Sequence, residues 1–141
     1  MIVMPFKPEH LEQLRDSQTQ GHIAAALGDP AYIQELAQSD GWTAIEGDTV
    51  MACAGLIPVW QGHCHAWALI GSKSGPAMLV LTRAILRMLK MQTGRIQTVV
   101  EADFVEGQRW MDVLGFTRET PGVMRHWYPD GSDAILYSRV T

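Results

Sequence analysis

The residues with the most chemical promise are Gly71-Ser72-Lys73-Ser74-Gly75-Pro76-Ala77, a polar, glycine-containing turn set between an apolar run and a helix. Ala66 to Ile70 is a run of strand length that Gly71 stops. Pro76 suits the first turn of a helix, where its missing N–H costs nothing. Helix formers then continue to Gln92, and Thr93-Gly94 is the stop signal. Such a unit presents unpaired N–H groups and the positive end of a helix dipole, which favour an anion, and glycine lets a phosphate come close to the backbone. Lys73 adds a point charge. An ordinary helix entry uses the same residue types, so the turn by itself is a weak signal.

Other reactive side chains carry less. His63-Cys64-His65 lies in strand-like sequence, where alternate residues point opposite ways; the two histidines share a face and the cysteine does not. Two histidines make an incomplete ligand set, so no metal is expected. Cys53, flanked by alanines in another strand-like run, reads as a buried thiol. Arg83, Arg87 and Lys90 form a basic stripe on the central helix, as a solvated helix face would.

The elements that must position these residues follow from spacing. In the central helix Met78, Leu81, Ile85, Met88 and Leu89 recur at three- and four-residue steps, so one broad face is expected to be buried. Ahead of it come a short strand over Met1–Phe6, a helix from Pro8 to about Asp16 with Leu11 and Leu14 inward, and short helices over His22–Leu27 and Ala31–Gln38. Strands are then expected over Trp42–Glu46, Thr49–Val59 and His63–Ile70, joined by turns at Gly47-Asp48 and Gln61-Gly62. Beyond the helix, Arg95–Ala102 is β-rich, Glu106–Leu114 is a short helix stopped by Gly115, and Phe116 begins another strand. Pro129-Asp130-Gly131 is expected to join Met124–Tyr128 to Ala134–Val140 as a terminal hairpin. The order predicts an α+β fold, a mixed sheet with layered helices, in a single domain spanning residues 1–141.

Composition narrows the class. A chain of 141 residues with a hydrophobic fraction of 47% can bury a substantial core. A net charge of −4 argues against a nucleic-acid partner. No apolar stretch is long enough to span a bilayer, so no membrane partner is expected. With two cysteines and an N-terminus unlike a signal peptide, a cytoplasmic protein without a disulfide framework is expected.

Two local motifs resemble the GNAT superfamily of acyl-CoA-dependent N-acetyltransferases, over roughly Trp42 to Val140. The family's pyrophosphate loop reads Gln/Arg-x-x-Gly-x-Gly/Ala; Ser72-Lys73-Ser74-Gly75-Pro76-Ala77 fits its last two positions and has Ser72 at the first. The second motif is a short helix ending in Leu114-Gly115-Phe116, in which Met111 stands where many members carry the tyrosine that protonates the departing thiolate. The resemblance implies a GNAT-like mixed, mostly antiparallel twisted sheet with helices on both faces. It implies acetyl-CoA as co-substrate, with no metal. The pyrophosphate would lie over Lys73 to Ala77, and the pantetheine along Ala66–Ile70, including Ala68, Leu69 and Ile70, where that strand splays from Ile96–Ala102. Arg83, Arg87 or Arg109 would meet the adenosine 3′-phosphate. The base that takes a proton from the acceptor amine would be Glu101 or Asp103, which on a strand share a face; Tyr128, Tyr137 or a histidine would have to serve as the acid. The acceptor would be an amine of a small molecule or peptide.

A second resemblance, to GNAT-like internal virion or morphogenesis proteins of tailed phages, rests on Gly55–Trp67, the short Gly71–Gly75 loop and Tyr128-Pro129-Asp130-Gly131. It implies a binding or structural protein that is virion-associated, with virion proteins as partners and no turnover. The strand from Phe116 onward also offers a pairing edge for a homodimer. The two readings stay open at the level of sequence.

Overall fold

The computed structural model describes residues 1–15, 27–71, 75 and 77–141. Four antiparallel strands lead the sheet: β1 (Ile2–Pro5), β2 (Asp40–Glu46), β3 (Thr49–Trp60) and β4 (His63–Ile70). Helices α1 (Leu11–Arg15) and α2 (Pro30–Ala37) lie between β1 and β2 in the chain, and a 3-10 turn over Pro8–His10 precedes α1. Helix α3 (Met78–Lys90) follows β4 and returns the chain to β5 (Arg95–Glu101), parallel to β4. Then come α4 (Val105–Val113), the two-residue β6 (Thr117–Arg118) and β7 (Ala134–Val140). Among the described residues the sheet has seven strands in the order β1-β2-β3-β4-β5-β7-β6.

Helices cover both faces of the sheet. On one, Leu11, Leu14 and Leu36 pack against Val50, Cys53, Trp67 and Leu69. On the other, Leu81 packs with Ala44, Met51 and Ala52, while Leu89, Met111, Leu114 and Phe116 pack with Ile96, Val100, Ile135 and Tyr137. Successive β4 residues alternate between these cores, Trp67 and Leu69 on one side and Ala66 on the other, as the pleat requires. The buried face expected of α3 is present, with Leu81 and Leu89 fully enclosed and Met78 and Ile85 packed at its edges. A polar group sealed in the first core is Thr43, whose hydroxyl is hydrogen-bonded with His10 Nδ1 (2.7 Å) and lies 3.5 Å from Cys53 Sγ.

One sequence expectation is corrected here. Met124–Tyr128 and Ala134–Val140 do not form a hairpin: they share a single bridge, Met124 to Ala134. β7 instead pairs along its length with β5 and at one end with β6, because its apolar residues Ile135 and Tyr137 belong to the core under α3 and α4. Of the helix expected over His22–Leu27, all but Leu27 lies outside the described residues, and Leu27 is buried in the first core.

Candidate functional site

The site is built from the one parallel pair in the sheet. β4 and β5 are pinned at their starts: Arg95 N donates to Gly62 O at 2.8 Å, and a Cβ on Gly94 would lie 2.5 Å from the same oxygen. Glycine is therefore required there both for space and for its φ of 90°. From this anchor the strands pair at His63–Arg95, Cys64–Ile96 and His65–Gln97, and the paired register then stops. The next contact is a side chain, as Thr98 Oγ1 donates to Ala66 O at 2.8 Å. Each strand keeps its outer partner throughout. β4 remains paired with β3 as far as Ile70 to Ala52, and β5 with β7 as far as Glu101 to Ala134. The two can thus part without losing those ladders, and a cleft opens toward their C-terminal ends.

A cavity of about 140 Å³ occupies this cleft, lined by Ala68, Ile70, Met78, Thr98, Phe104 and Trp110 among others. Above it α3 begins, its N-cap at Ala77 and Gly75 exposed just before it. A Cβ on Gly75 would meet nothing within 4 Å, and its φ lies outside the left-handed region. Neither space nor backbone conformation requires glycine at this position. Ser72, Lys73, Ser74 and Pro76 of the expected phosphate loop lie outside the described residues. Arg109, Arg83 and Arg87 are exposed on α4 and α3.

Met111 stands buried on α4 and faces the cleft, lining its cavity where the resemblance would place a tyrosine. A thioether has no proton to give. Beside it Trp110 spans the two helices, its Nε1 donating to Thr82 Oγ1 on α3 at 2.9 Å.

Several ionisable side chains that do not line this cavity influence one another. Glu101 ends β5. Tyr128, carried by the loop before β7, has its hydroxyl pushed well above the usual phenol range, first by burial and then by the charges of Glu101, Tyr32 and Asp130. Asp130 Oδ1 accepts from Ser132 N (2.9 Å) and Ser132 Oγ (2.6 Å), which fixes the turn that presents Tyr128. Tyr32 on α2 is raised by burial and then by Glu35. His65 on β4 is lowered by burial, a shift that Glu35 opposes and His63 reinforces. Sequence reasoning had singled out Glu101, Tyr128 and His65 for separate reasons and had missed Tyr32 and Glu35. Their three-residue spacing on a helix started by Asp29-Pro30 is the signal that was available, since it puts both on one side. Asp103, the other carboxylate considered as a base, does not share Glu101's strand face. β5 ends at Glu101, and Asp103 is exposed in the following turn, which Gln108 Nε2 secures by donating to Ala102 O at 2.8 Å.

Among the described residues no three or more His, Cys, Asp or Glu side chains are placed to hold a metal ion, and no helix is long and apolar enough to cross a membrane. No protein-family model matches the chain, and no curated protein matches it. Solved structures do. Ard1 from Thermoplasma volcanium superposes with a TM-score of 0.76 at 15% identity, covering 99% of this chain and 97% of that one. Ribosomal-protein-alanine N-acetyltransferase from Brucella melitensis matches over 100% of both chains with a TM-score of 0.69 at 11% identity. IAA acetyltransferase from Bacillus cereus gives 0.68 at 12%, covering 97% of each. At such identities the likeness is one of fold, and it bears out the resemblance read from Leu114-Gly115-Phe116: this chain has the α+β fold of the GNAT acetyltransferases.

Proposed function

We propose that the protein transfers an acyl group from a coenzyme A thioester to an amine of a small molecule or peptide. The observation that carries this reading is the parting of β4 from β5 after His65 and Gln97, with a cavity in the gap and the start of α3 above it. A pantetheine arm is an extended chain with amide groups, and the edge of a splayed strand suits it. The residues proposed to hold the cofactor are Ala68, Leu69 and Ile70 along β4, Ser72, Lys73, Ser74, Gly75, Pro76 and Ala77 around the diphosphate, and Arg109 at the adenosine end. No metal is proposed.

In the transfer the amine nitrogen attacks the thioester carbonyl carbon. The C–N bond forms, the C–S bond breaks, and the proton lost by nitrogen balances the thiolate that leaves as the thiol. A backbone N–H of β4 near Ala68–Ile70 would polarise the carbonyl. Glu101 is the proposed base, with Asp103 the weaker alternative for its place in the exposed turn. Tyr128 holds its proton across the neutral range and is suited to hydrogen bonding rather than to ionisation. Met111 favours a second reading, in which the chain binds the cofactor without turning it over; this is the form a phage structural role would take.

Calorimetric titration with coenzyme A and with acetyl-CoA tests the first step. Micromolar binding is expected, and none at millimolar ligand would sink the proposal. Given binding, Glu101→Gln should lower kcat in an amine screen by about 100-fold or more while leaving cofactor affinity unchanged. Absence of turnover in the parent with every amine tried, despite tight binding, would decide for the second reading.

A further inference from the structure

The cleft does not end where an acetyl group would. Past Trp110 lies a second cavity of about 70 Å³, lined by Ala54, Leu56, Ala66, Ile85, Met88 and Leu114 among others. Ala68, Thr98, Trp110 and Met111 line both cavities, so the two adjoin at the apex of the splay. The inner compartment lies beneath α3 and α4 and is apolar. The hydroxyl of Thr98 is committed to Ala66 O, Trp110 Nε1 to Thr82 Oγ1, and Trp67 Nε1 to Ser39 Oγ at 3.1 Å. Such apolar walls offer water few polar partners, and they gain dispersion contacts when something apolar fills the space.

We infer that the acyl donor is a short-chain thioester longer than acetyl, with the alkyl end of the acyl group seated in this inner compartment. The inference rests on the transfer reading above and narrows its substrate. The length follows from volume. An apolar cavity of about 150 Å³ is known to hold benzene, so roughly half that volume takes about two or three carbons. Added to the two carbons of an acetyl group, this gives an acyl chain of about four or five carbons, of the butyryl or valeryl class. The chemistry is unchanged: the acyl carbon passes from sulfur to the amine nitrogen and the thiol leaves.

Titration of the full chain with free coenzyme A, acetyl-CoA, butyryl-CoA and decanoyl-CoA reads this without need of an acceptor. Butyryl-CoA should bind about ten-fold more tightly than acetyl-CoA, the effect of burying two methylenes, and decanoyl-CoA should lose that gain because a space of about 70 Å³ holds only a few carbons. In Ala54→Val, which fills the compartment, the preference for butyryl-CoA should fall to near unity; in Leu56→Ala, which enlarges it, the preference should move to longer chains. If coenzyme A binds and butyryl-CoA binds no better than acetyl-CoA, the inner cavity is a packing void and this inference fails while the transfer reading stands. If neither coenzyme A nor any thioester binds, the transfer reading fails and takes the inference with it.

Discussion

Substitution of Gly75 separates fold from function, because the two should respond in opposite directions. A Cβ at Gly75 finds open space, and the backbone there is not left-handed, so a side chain costs the native state nothing. The unfolded chain loses freedom when glycine is replaced, which by itself stabilises by about 0.4–1 kcal/mol. A glutamate just ahead of α3 also interacts favourably with the helix dipole, by about 0.3 kcal/mol or more. Gly75→Ala and Gly75→Glu should therefore melt at or slightly above the parent temperature. Cofactor binding should move the other way. One negative charge placed roughly 6 Å from a diphosphate carrying two costs about 1.4 kcal/mol in a water-like dielectric and about 5.5 kcal/mol at an effective dielectric of 20. A ten-fold loss of coenzyme A affinity is the lower bound for Gly75→Glu, with a smaller, salt-independent loss for Gly75→Ala. Differential scanning calorimetry and isothermal titration at two salt concentrations read both quantities. Unchanged affinity in Gly75→Glu would mean that the phosphates do not lie at this helix entry, and the cofactor placement would be wrong. A drop of several degrees in Tm would mean instead that the open space around Gly75 is not what the structure shows.

Two further outcomes concern titratable groups. Burial raises the Cys53 thiol to about 11, so at pH 8 roughly one part in a thousand is thiolate, while Cys64 is partly exposed. A thiol reagent should label Cys64 in the native protein and both cysteines after unfolding; rapid native labelling of Cys53 would contradict the packing of the first core. For His65 the folded value is depressed by burial, so below about pH 6.5 the unfolded chain binds a proton that the folded chain resists. Stability present above that pH is lost as pH falls through the depressed folded value. The urea midpoint should drop between pH 7 and pH 5, and His65→Gln should flatten the drop; an identical slope in the variant would show that His65 is not the group responsible.

The order of elements was legible in the sequence because its signals are local. Apolar spacing marked α3, the turns at Gly47 and Gly62 marked the β2–β3 and β3–β4 hairpins, and Gly71 ended β4 where the structure ends it. Leu11, Leu14 and Cys53 were recognisable as core from residue type and neighbours alone, and all three are buried. The terminal hairpin failed for the complementary reason. The turn at Pro129-Asp130-Gly131 is real, but which strand β7 joins is set by where Ile135 and Tyr137 find a core, and that core is assembled from β5, α3 and α4 far away in the chain.

The site divides in the same way. Sequence alone marked Gly75, Ala77 and Met111, through a turn composition and a helix ending that resemble a known pattern, and Glu101 through its place at the end of a strand. Only tertiary structure decided that β4 and β5 part after His65 and Gln97, since the parting depends on β3 and β7 holding the outer edges. It also decided that Tyr32 from α2 and Glu101 from β5 both act on Tyr128, and that an apolar cavity adjoins the cleft at Trp110. A cavity and a cluster are relations among residues distant along the chain, and no periodicity within a single segment encodes them.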